Sequence, residues 1–393
     1  MTDGLSSFHI TTASRIAAVP AAAWDACAGG DNPFVAHAFL NALENSGSVA
    51  PSRGWQPRHV LLYGSGEAAG DLLGAVPLYV KTHSFGEYVF DWAWADAYER
   101  AGGRYYPKLQ AAVPFTPVTG PRLLVRGDLP PARRAAVADA LAEGLIRLAE
   151  RDGVSSLHVT FPHEGAWQRL GGQGLLQRTG IQFHFTNPGY ASFEDFLGAL
   201  VSRKRKQIRR ERREVRDSGL RLRRLTGADL QPRHWDAFYD FYCATADKRW
   251  GVPYLEPAFF HEIGETMPER ILLVLAEEGP GRPVAGALNL IGADALYGRN
   301  WGCAADYSFL HFEACYYQAI EHALDTGLAR VEAGAQGEHK IQRGYLPVAT
   351  YSAHWIADPG LAAPVADFLR RERAAVDRQI VALNAESPFR AEG

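Results

Sequence analysis

The two halves of this 393-residue sequence repeat one order of secondary-structure signals: strand, turn, strand, helix, strand. In the first half, Leu72 to Lys81 (LLGAVPLYVK) reads as an apolar strand and Ser84 to Glu87 as a turn; Tyr88 to Trp94 then reads as a second strand running out into an aromatic loop. A helix over Pro131 to Asp152 follows, with Val137, Leu141, Leu145 and Leu148 on one face and Gly153 as its stop, and then a strand over Ser156 to Phe161. The second half answers with strands over Val284 to Ile291 and Ala295 to Trp301. Its helix spans Phe309 to Thr326, stops at Gly327, and leads to a strand over Leu328 to Ala333. A strand that returns through a helix to the same sheet is a parallel crossover, so each half is predicted to be one α/β unit. With 47% hydrophobic residues the chain has enough apolar side chains for two cores.

Other segments attach to this repeat. Ile271 to Glu277 (ILLVLAE) has too little polar alternation for a surface strand and is expected at the centre of its sheet. Helices are predicted over Phe34 to Asn45, Pro232 to Lys248, Glu256 to Thr266 and Pro364 to Asn384, with a loose tail from Ser387. The first copy carries an insertion, Ala95 to Thr119, that the second lacks. Together with Asp91 just ahead of it, it brings Arg104, Tyr106 and Lys108 into one aromatic, mixed-charge stretch, which suits a polar, ring-containing ligand or a loop folded on its own domain. No run of eighteen apolar residues and no basic-then-apolar leader is present, so a cytoplasmic protein without a membrane span is expected. Four scattered cysteines without CxxC spacing fit reduced thiols.

A net charge of -3 conceals a local excess: Ser202 to Arg224 holds twelve Lys or Arg against three acids. The helical pattern from Phe193 to Asp217 places Arg205, Arg209, Arg212 and Arg216 in one stripe. Two readings stand open, a clamp for phosphates and a solvated helix linking two domains. The boundaries that follow are 1–195 for the first domain, 196–218 for the basic helix and 219–393 for the second domain.

Acyl transfer to an amine needs a deprotonated nitrogen, donors aimed at the developing oxyanion, and a hold on the acyl donor. The densest polar cluster, Glu332 to Tyr345 (EAGAQGEHKIQRGY), follows the last strand of the second copy and offers Glu338 and His339 as proton relays and Lys340 and Arg343 as anion holders. Glu313, at the start of the second-copy helix, is a further binding candidate beside the plainer role of complementing the helix dipole. Arg299, Gly302 and Ala304 match the [RQ]-x-x-G-x-[GA] loop with which GNAT acetyltransferases hold coenzyme A, although Arg299 falls inside a predicted strand. No metal-ligand spacing, nucleophile elbow or P-loop occurs, so no metal site is expected.

Several longer segments carry a family resemblance: NPFVAHAFLNALENSGSV (from Asn32), YYPKLQAAVPFTPVTGPRLL (from Tyr105), SRKRKQIRRER (from Ser202), LHFEACYYQAIEHAL (from Leu310) and GAQGEHKIQRGYLPVATYSAHW (from Gly334). The chain resembles the FemAB-like group of N-acyltransferases over roughly residues 30 to 385. The resemblance implies an α/β fold with mixed sheets, namely two GNAT-like acyltransferase domains in tandem, here joined by a basic helix. It implies acyl or aminoacyl transfer to an amine such as a peptidoglycan-related precursor, with acyl-CoA as a co-substrate rather than a tightly bound cofactor, or with aminoacyl-tRNA held through the basic helix. In Fem enzymes a Phe-Lys pair helps hold the acceptor; Lys340 stands at the similar place, preceded by His339 instead of phenylalanine. The alternative class is a non-catalytic protein that recognises a cell-wall or nucleotide-sugar ligand, and RNA binding through the basic helix is a third.

Overall fold

The computed structural model describes residues 8–65, 70–249, 252–334 and 337–390. They fall into two compact units, Met1–Gly180 with Thr350–Asp377, and Ile181–Ala349 with Arg378–Gly393. The first contains β1 (Phe8–Ala13), α1 (Ala21–Ala28), α2 (His37–Asn45), β2 (Trp55–Pro57), β3 (His59–Gly64), β4 (Leu72–Val76), β5 (Leu78–Lys81), α3 (Trp92–Arg100), β6 (Lys108–Ala111), β7 (Leu124–Val125), α4 (Pro131–Asp152), β8 (Ser156–Thr160), α5 (Glu164–Gly172) and the start of β9 (Leu176–Thr186).

The apolar run expected as one strand over Leu72 to Lys81 is divided at Pro77, which has no N–H to give to a ladder. β4 pairs with β3 and β7, whereas β5 pairs with β2 and β6. The predicted strand Tyr88 to Trp94 does not form. Tyr88 lies at φ 60°, a left-handed conformation that ends an extended run, and Trp92 opens α3. The second strand of the repeat is instead β6, inside the segment expected to be an insertion. β6 runs antiparallel to β5 and, after crossing through α4, parallel to β8. The repeated order therefore holds, with the extra loop lying between its first two strands. α4 has the predicted bounds, its Val137, Leu141, Leu145 and Leu148 face is buried, α4 packs on β3, β4, β7 and β8, and Gly153 caps it at φ 60°.

The second unit contains α6 (Phe193–Ala199), α7 (Ser202–Asp217), β10 (Arg221–Leu225), α8 (Pro232–Arg249), α9 (Pro257–Thr266), β11 (Ile271–Glu277), β12 (Pro283–Ile291), β13 (Ala295–Cys303), α10 (Leu310–Phe312), a π-turn over Glu313–Tyr317, α11 (Gln318–Thr326), β14 (Arg330–Glu332) and a 3-10 turn over Glu338–Arg343. β15 (Leu346–Ile356) and α12 (Pro359–Asn384) then carry the chain back across the unit boundary. The sheet order is β10-β11-β12-β13-β14-β9, antiparallel except for the β13–β14 pair. β11 is buried along its whole length between β10 and β12, as its apolar run requires.

Three sequence expectations are corrected in and around this unit. The basic helix is two helices, because Leu200 is extended (ψ 153°), forms a bridge with Phe389, and leaves Val201 N–H to donate to Pro388. The same contacts order the tail through Arg390, which the sequence reading left loose. The domain boundaries also differ. α7 buries Ile208, Glu211 and Val215 and so is no free linker, and the segment from Thr350 belongs to the first unit because Ser352 to Ile356 pairs antiparallel with β8. Among the described residues no helix is long and apolar enough to cross a membrane.

Gly302 illustrates how closely α8 lies on β13. A Cβ there would stand 2.2 Å from the Phe241 carbonyl carbon and oxygen, which are backbone atoms and cannot rotate aside. Gly302→Ala is expected to lower unfolding free energy by about 3 kcal/mol, the upper end for overpacking. Urea unfolding measures this, and an unchanged midpoint would show that the α8–β13 contact is looser than described.

Candidate functional site

β13 and β14 share only three parallel rungs, Ala295 with Arg330, Leu296 with Val331 and Tyr297 with Glu332. Beyond them the chain after β14 stays on β9: Ala333 N–H donates to Phe183 O at 3.2 Å and Phe183 N–H to Gly334 O at 3.4 Å. β13 runs on to Cys303, and among the described residues its later half is paired with β12 alone. The two strands thus part at Tyr297 and Glu332, and Gly334, at φ 77°, turns the chain away towards the 3-10 turn.

The 3-10 turn brings three of the predicted site residues to this end of the sheet. Lys340 is buried, and its Nζ donates to Ala333 O at 2.5 Å and Gly334 O at 3.1 Å, so its ammonium sits on the carbonyls just past the parting of the strands. Burial pulls its pKa down to about 8. His339 Nε2 lies 3.2 Å from Tyr316 Oη, and its ring meets those of Phe312 and His311. The Glu338 side chain lies outside the described residues.

Arg343 is held by side chains and a carbonyl of its own unit. Its guanidinium donates to both oxygens of Glu211 at 3.0 and 3.1 Å, to Tyr317 Oη at 3.1 Å and to His339 O at 2.9 Å, and it lies 3.4 Å from the Phe312 ring centroid. Glu211 also accepts from Tyr317 Oη and from Gln207 Nε2 at 2.9 Å. A second buried pair lies alongside. Arg212 donates to Glu313 at 3.0 and 3.1 Å and to Glu321 at 2.7 and 3.0 Å, while Gln318 also donates to Glu313 at 2.8 Å. The π-turn begins at Glu313 and carries it into this network. Arg212 is therefore taken out of the positive stripe, and Arg209 pairs with Glu194 at 2.5 Å. Arg203, Lys206, Arg210, Arg213 and Arg216 remain on the exposed face. Arg299 and Gly302 both lie within β13 rather than in a loop opening a helix.

In the first unit, Asp91 and Lys108 come together as the sequence suggested, and bring company it did not. Lys108 Nζ is fully buried and donates to Asp91 Oδ2 at 2.5 Å, Glu87 Oε2 at 2.7 Å and Ser84 Oγ at 2.8 Å. Tyr105 Oη donates to the same Asp91 oxygen at 2.7 Å, and Tyr106 Oη lies 2.8 Å from Ser84 Oγ. Lys81 is the cross-strand partner of Lys108; its Nζ lies 3.6 Å from the Trp55 ring centroid, 3.8 Å from Glu87 Oε1 and 3.2 Å from Phe85 O. Burial pulls Lys81 down to about 7 and pushes Glu87 up to about 7, whereas Lys108 holds Asp91 below the usual carboxylate range despite burial. His158 and His354 share a 2.7 Å Nδ1···Nδ1 contact, which requires complementary tautomers, and burial lowers both, His158 to about 3. Two lysines against two carboxylates make this cluster neutral, a pillar under the loop that exposes Phe85, Phe90 and Trp92. Arg104 is exposed and takes no part in it.

Lys81, Glu87, Glu211, His158 and His354 were not singled out from the sequence. The available signal was the pair of lysines at inward positions of adjacent strands, which demands buried counter-charges nearby.

The fold is similar to that of FemX (11% identity, TM-score 0.52, covering 83% of this chain and 94% of that one). It is likewise similar to the C-terminal domain of a putative lysylphosphatidylglycerol synthetase from Agrobacterium fabrum (10% identity, TM-score 0.52, 88% and 94% covered) and to L-PGS from Bacillus licheniformis (9%, 0.50, 87% and 98%). At these identities the likeness concerns the fold, which in this chain is two α/β units with mixed sheets. The family model described as FemAB-like, peptidoglycan biosynthesis/recognition, matches residues 15–391, and the chain belongs to that family. No curated protein sequence matches it.

Removing Glu211 would strand a buried guanidinium. Glu211→Ala is expected to cost about 3–5 kcal/mol in urea unfolding, and Glu211→Ala with Arg343→Met to cost less than Glu211→Ala alone. Additive losses would mean that the two side chains are not coupled.

Proposed function

We propose that this chain is an N-acyltransferase that moves an acyl or aminoacyl group from acyl-CoA or aminoacyl-tRNA onto an amine, with peptidoglycan-related precursors as the acceptor class. The observation that carries the reading is the parting of β13 from β14, with the Lys340 ammonium at its vertex. A strand edge on which no further strand pairs among the described residues suits an extended, amide-bearing donor. Lys340 spends two of its three N–H groups on Ala333 and Gly334, and the remaining positive charge suits the oxygen on which charge develops during attack on a carbonyl. The family's description supplies the acceptor class.

Under this proposal the first unit recognises the acceptor. Its neutral buried cluster holds up exposed Phe85, Phe90 and Trp92, which meet edge to face at centroid distances of 5.3 and 5.9 Å. Such a row of rings suits the flat faces of sugars. The exposed arginines of α7 add an electrostatic pull on an anionic donor.

Calorimetric titration with acetyl-CoA, and filter binding of alanyl-tRNA over a salt series, test the donor. Wild-type protein is expected to bind one of the two, and Lys340→Met to lower transfer to an amine at least about 10²-fold while leaving the fold intact by circular dichroism. Saccharide binding with neither donor bound would replace this reading with that of a non-catalytic recognition protein.

A further inference from the structure

Glu332 stands at the vertex itself. It is the last residue of β14, opposite Tyr297 in the final parallel rung and opposite His184 of β9 in the antiparallel one. Val331, its neighbour, points into the core under α11, so Glu332 is on the other face of the sheet. Its Oε1 accepts from Arg330 Nε at 3.0 Å. Its Oε2 is buried and, among the described residues, has no hydrogen-bond partner; His184 Nε2, at 3.6 Å, is near but beyond bonding distance. Buried carboxylate oxygens are ordinarily satisfied, and one left open at the point where two strands part suits a donor that arrives with a ligand.

The charged and titratable groups around it are few. Arg330, on the same strand, is shared with Asp294 and reaches Tyr297 Oη at 3.4 Å. His184 comes from β9, and Lys340 from the 3-10 turn, on the carbonyls of the next two residues. Burial pushes Glu332 up to about 7 against the pull of Arg330, and burial lowers His184 to about 3, so His184 is neutral and cannot compete for the proton. Of the two sequence candidates for this role, His339 is engaged with Tyr316 Oη, and the Glu338 side chain lies outside the described residues.

We propose that Glu332 is the proton acceptor for the amine in the transfer reaction. The inference rests on the transferase reading and gives one of its steps to a named atom. An alkylammonium acceptor gives one proton to Glu332 Oε2. The nitrogen lone pair then forms the C–N bond at the donor carbonyl, and the C–S bond of a thioester, or the C–O bond of an aminoacyl ester, breaks with its electron pair going to the leaving atom. A second nitrogen proton neutralises that leaving group, the third stays in the amide, and Glu332 returns its proton to solvent.

The test uses the full chain with acetyl-CoA or alanyl-tRNA as donor and two acceptors, ethylamine, which is protonated at neutral pH, and hydroxylamine, which is not. A base must be ionised to work, so the wild-type rate with ethylamine should rise with pH through a midpoint near 7. Glu332→Gln should remove that midpoint and lower the rate by about 10²–10⁴-fold, with Glu332→Asp in between and the loss with hydroxylamine at least about ten-fold smaller. Equal losses with both acceptors, or an unchanged ethylamine profile in Glu332→Gln, overturn the assignment. Infrared difference titration of wild type against Glu332→Gln reads the carboxyl without turnover, and no carboxyl titrating near neutrality also overturns it. A carboxyl that does titrate there, without transfer from either donor, removes the transferase reading and the proton-accepting role with it.

Discussion

The second unit is organised by a parallel strand pair that is obliged to form and then obliged to part. β13 and β14 lie side by side because the chain between them crosses over through α10, the π-turn and α11, and a right-handed crossover returns a strand beside its predecessor. The pair ends after three rungs because the chain beyond β14 keeps its bonds to β9, and because Lys340 takes the carbonyls of Ala333 and Gly334. The crossover also places Glu313 within reach of Arg212 and Tyr317 within reach of Glu211 and Arg343, so α7 is fastened to the unit by charge as well as by Ile208 and Val215.

Both units bury charge, by pairing cations with carboxylates and, at Lys340, by backbone carbonyls. Around Lys108 each cation has a carboxylate, the histidines are neutral, and the hydrogen bonds run between elements of one unit, so the cluster holds the loop over residues 82–107 in place. Glu211 with Arg343 is a closed pair of the same kind. At the vertex of β13 and β14 Lys340 is held by neutral carbonyls, and Glu332 Oε2 accepts no hydrogen bond among the described residues, which is also true of Glu87 Oε1 and Asp91 Oδ1 in the first unit. Desolvation shifts a pKa in both places, taking Lys81 and Glu87 to about 7 in the first unit and Glu332 to about 7 at the vertex.

Elements whose identity is written in local periodicity were legible in the sequence. α4, β11, β12 and β13 form where the apolar pattern placed them, α4 by its 3.6-residue repeat and β11 by an unbroken apolar run. Features set by a single backbone conformation or by a distant partner were not. Tyr88 at positive φ turns an expected strand into a loop, and the contact of Leu200 with Phe389 breaks an expected helix. The return of Ser352 to Ile356 to β8 moves a domain boundary. The site shows the same division. Lys340, His339 and Arg343 are close in sequence and were found together, but Arg343 is occupied by Glu211, 132 positions earlier. His158 meets His354 across 196 positions. No local pattern announces such pairs.

The vertex residues also explain how one small region can serve two opposite demands of acyl transfer. A protonated amine must lose a proton, and an oxygen gaining charge must be met by a cation. In water a carboxylate and an ammonium titrate some six pH units apart. Burial shifts each towards its neutral form, so Glu332 near 7 and Lys340 near 8 converge on the same narrow range. Burial is the largest cause of both shifts, and Arg330 pulls Glu332 the other way. A direct bond from Lys340 to Glu332 would drive the two pKa values apart again; Lys340 lies instead on backbone oxygens one and two residues beyond Glu332.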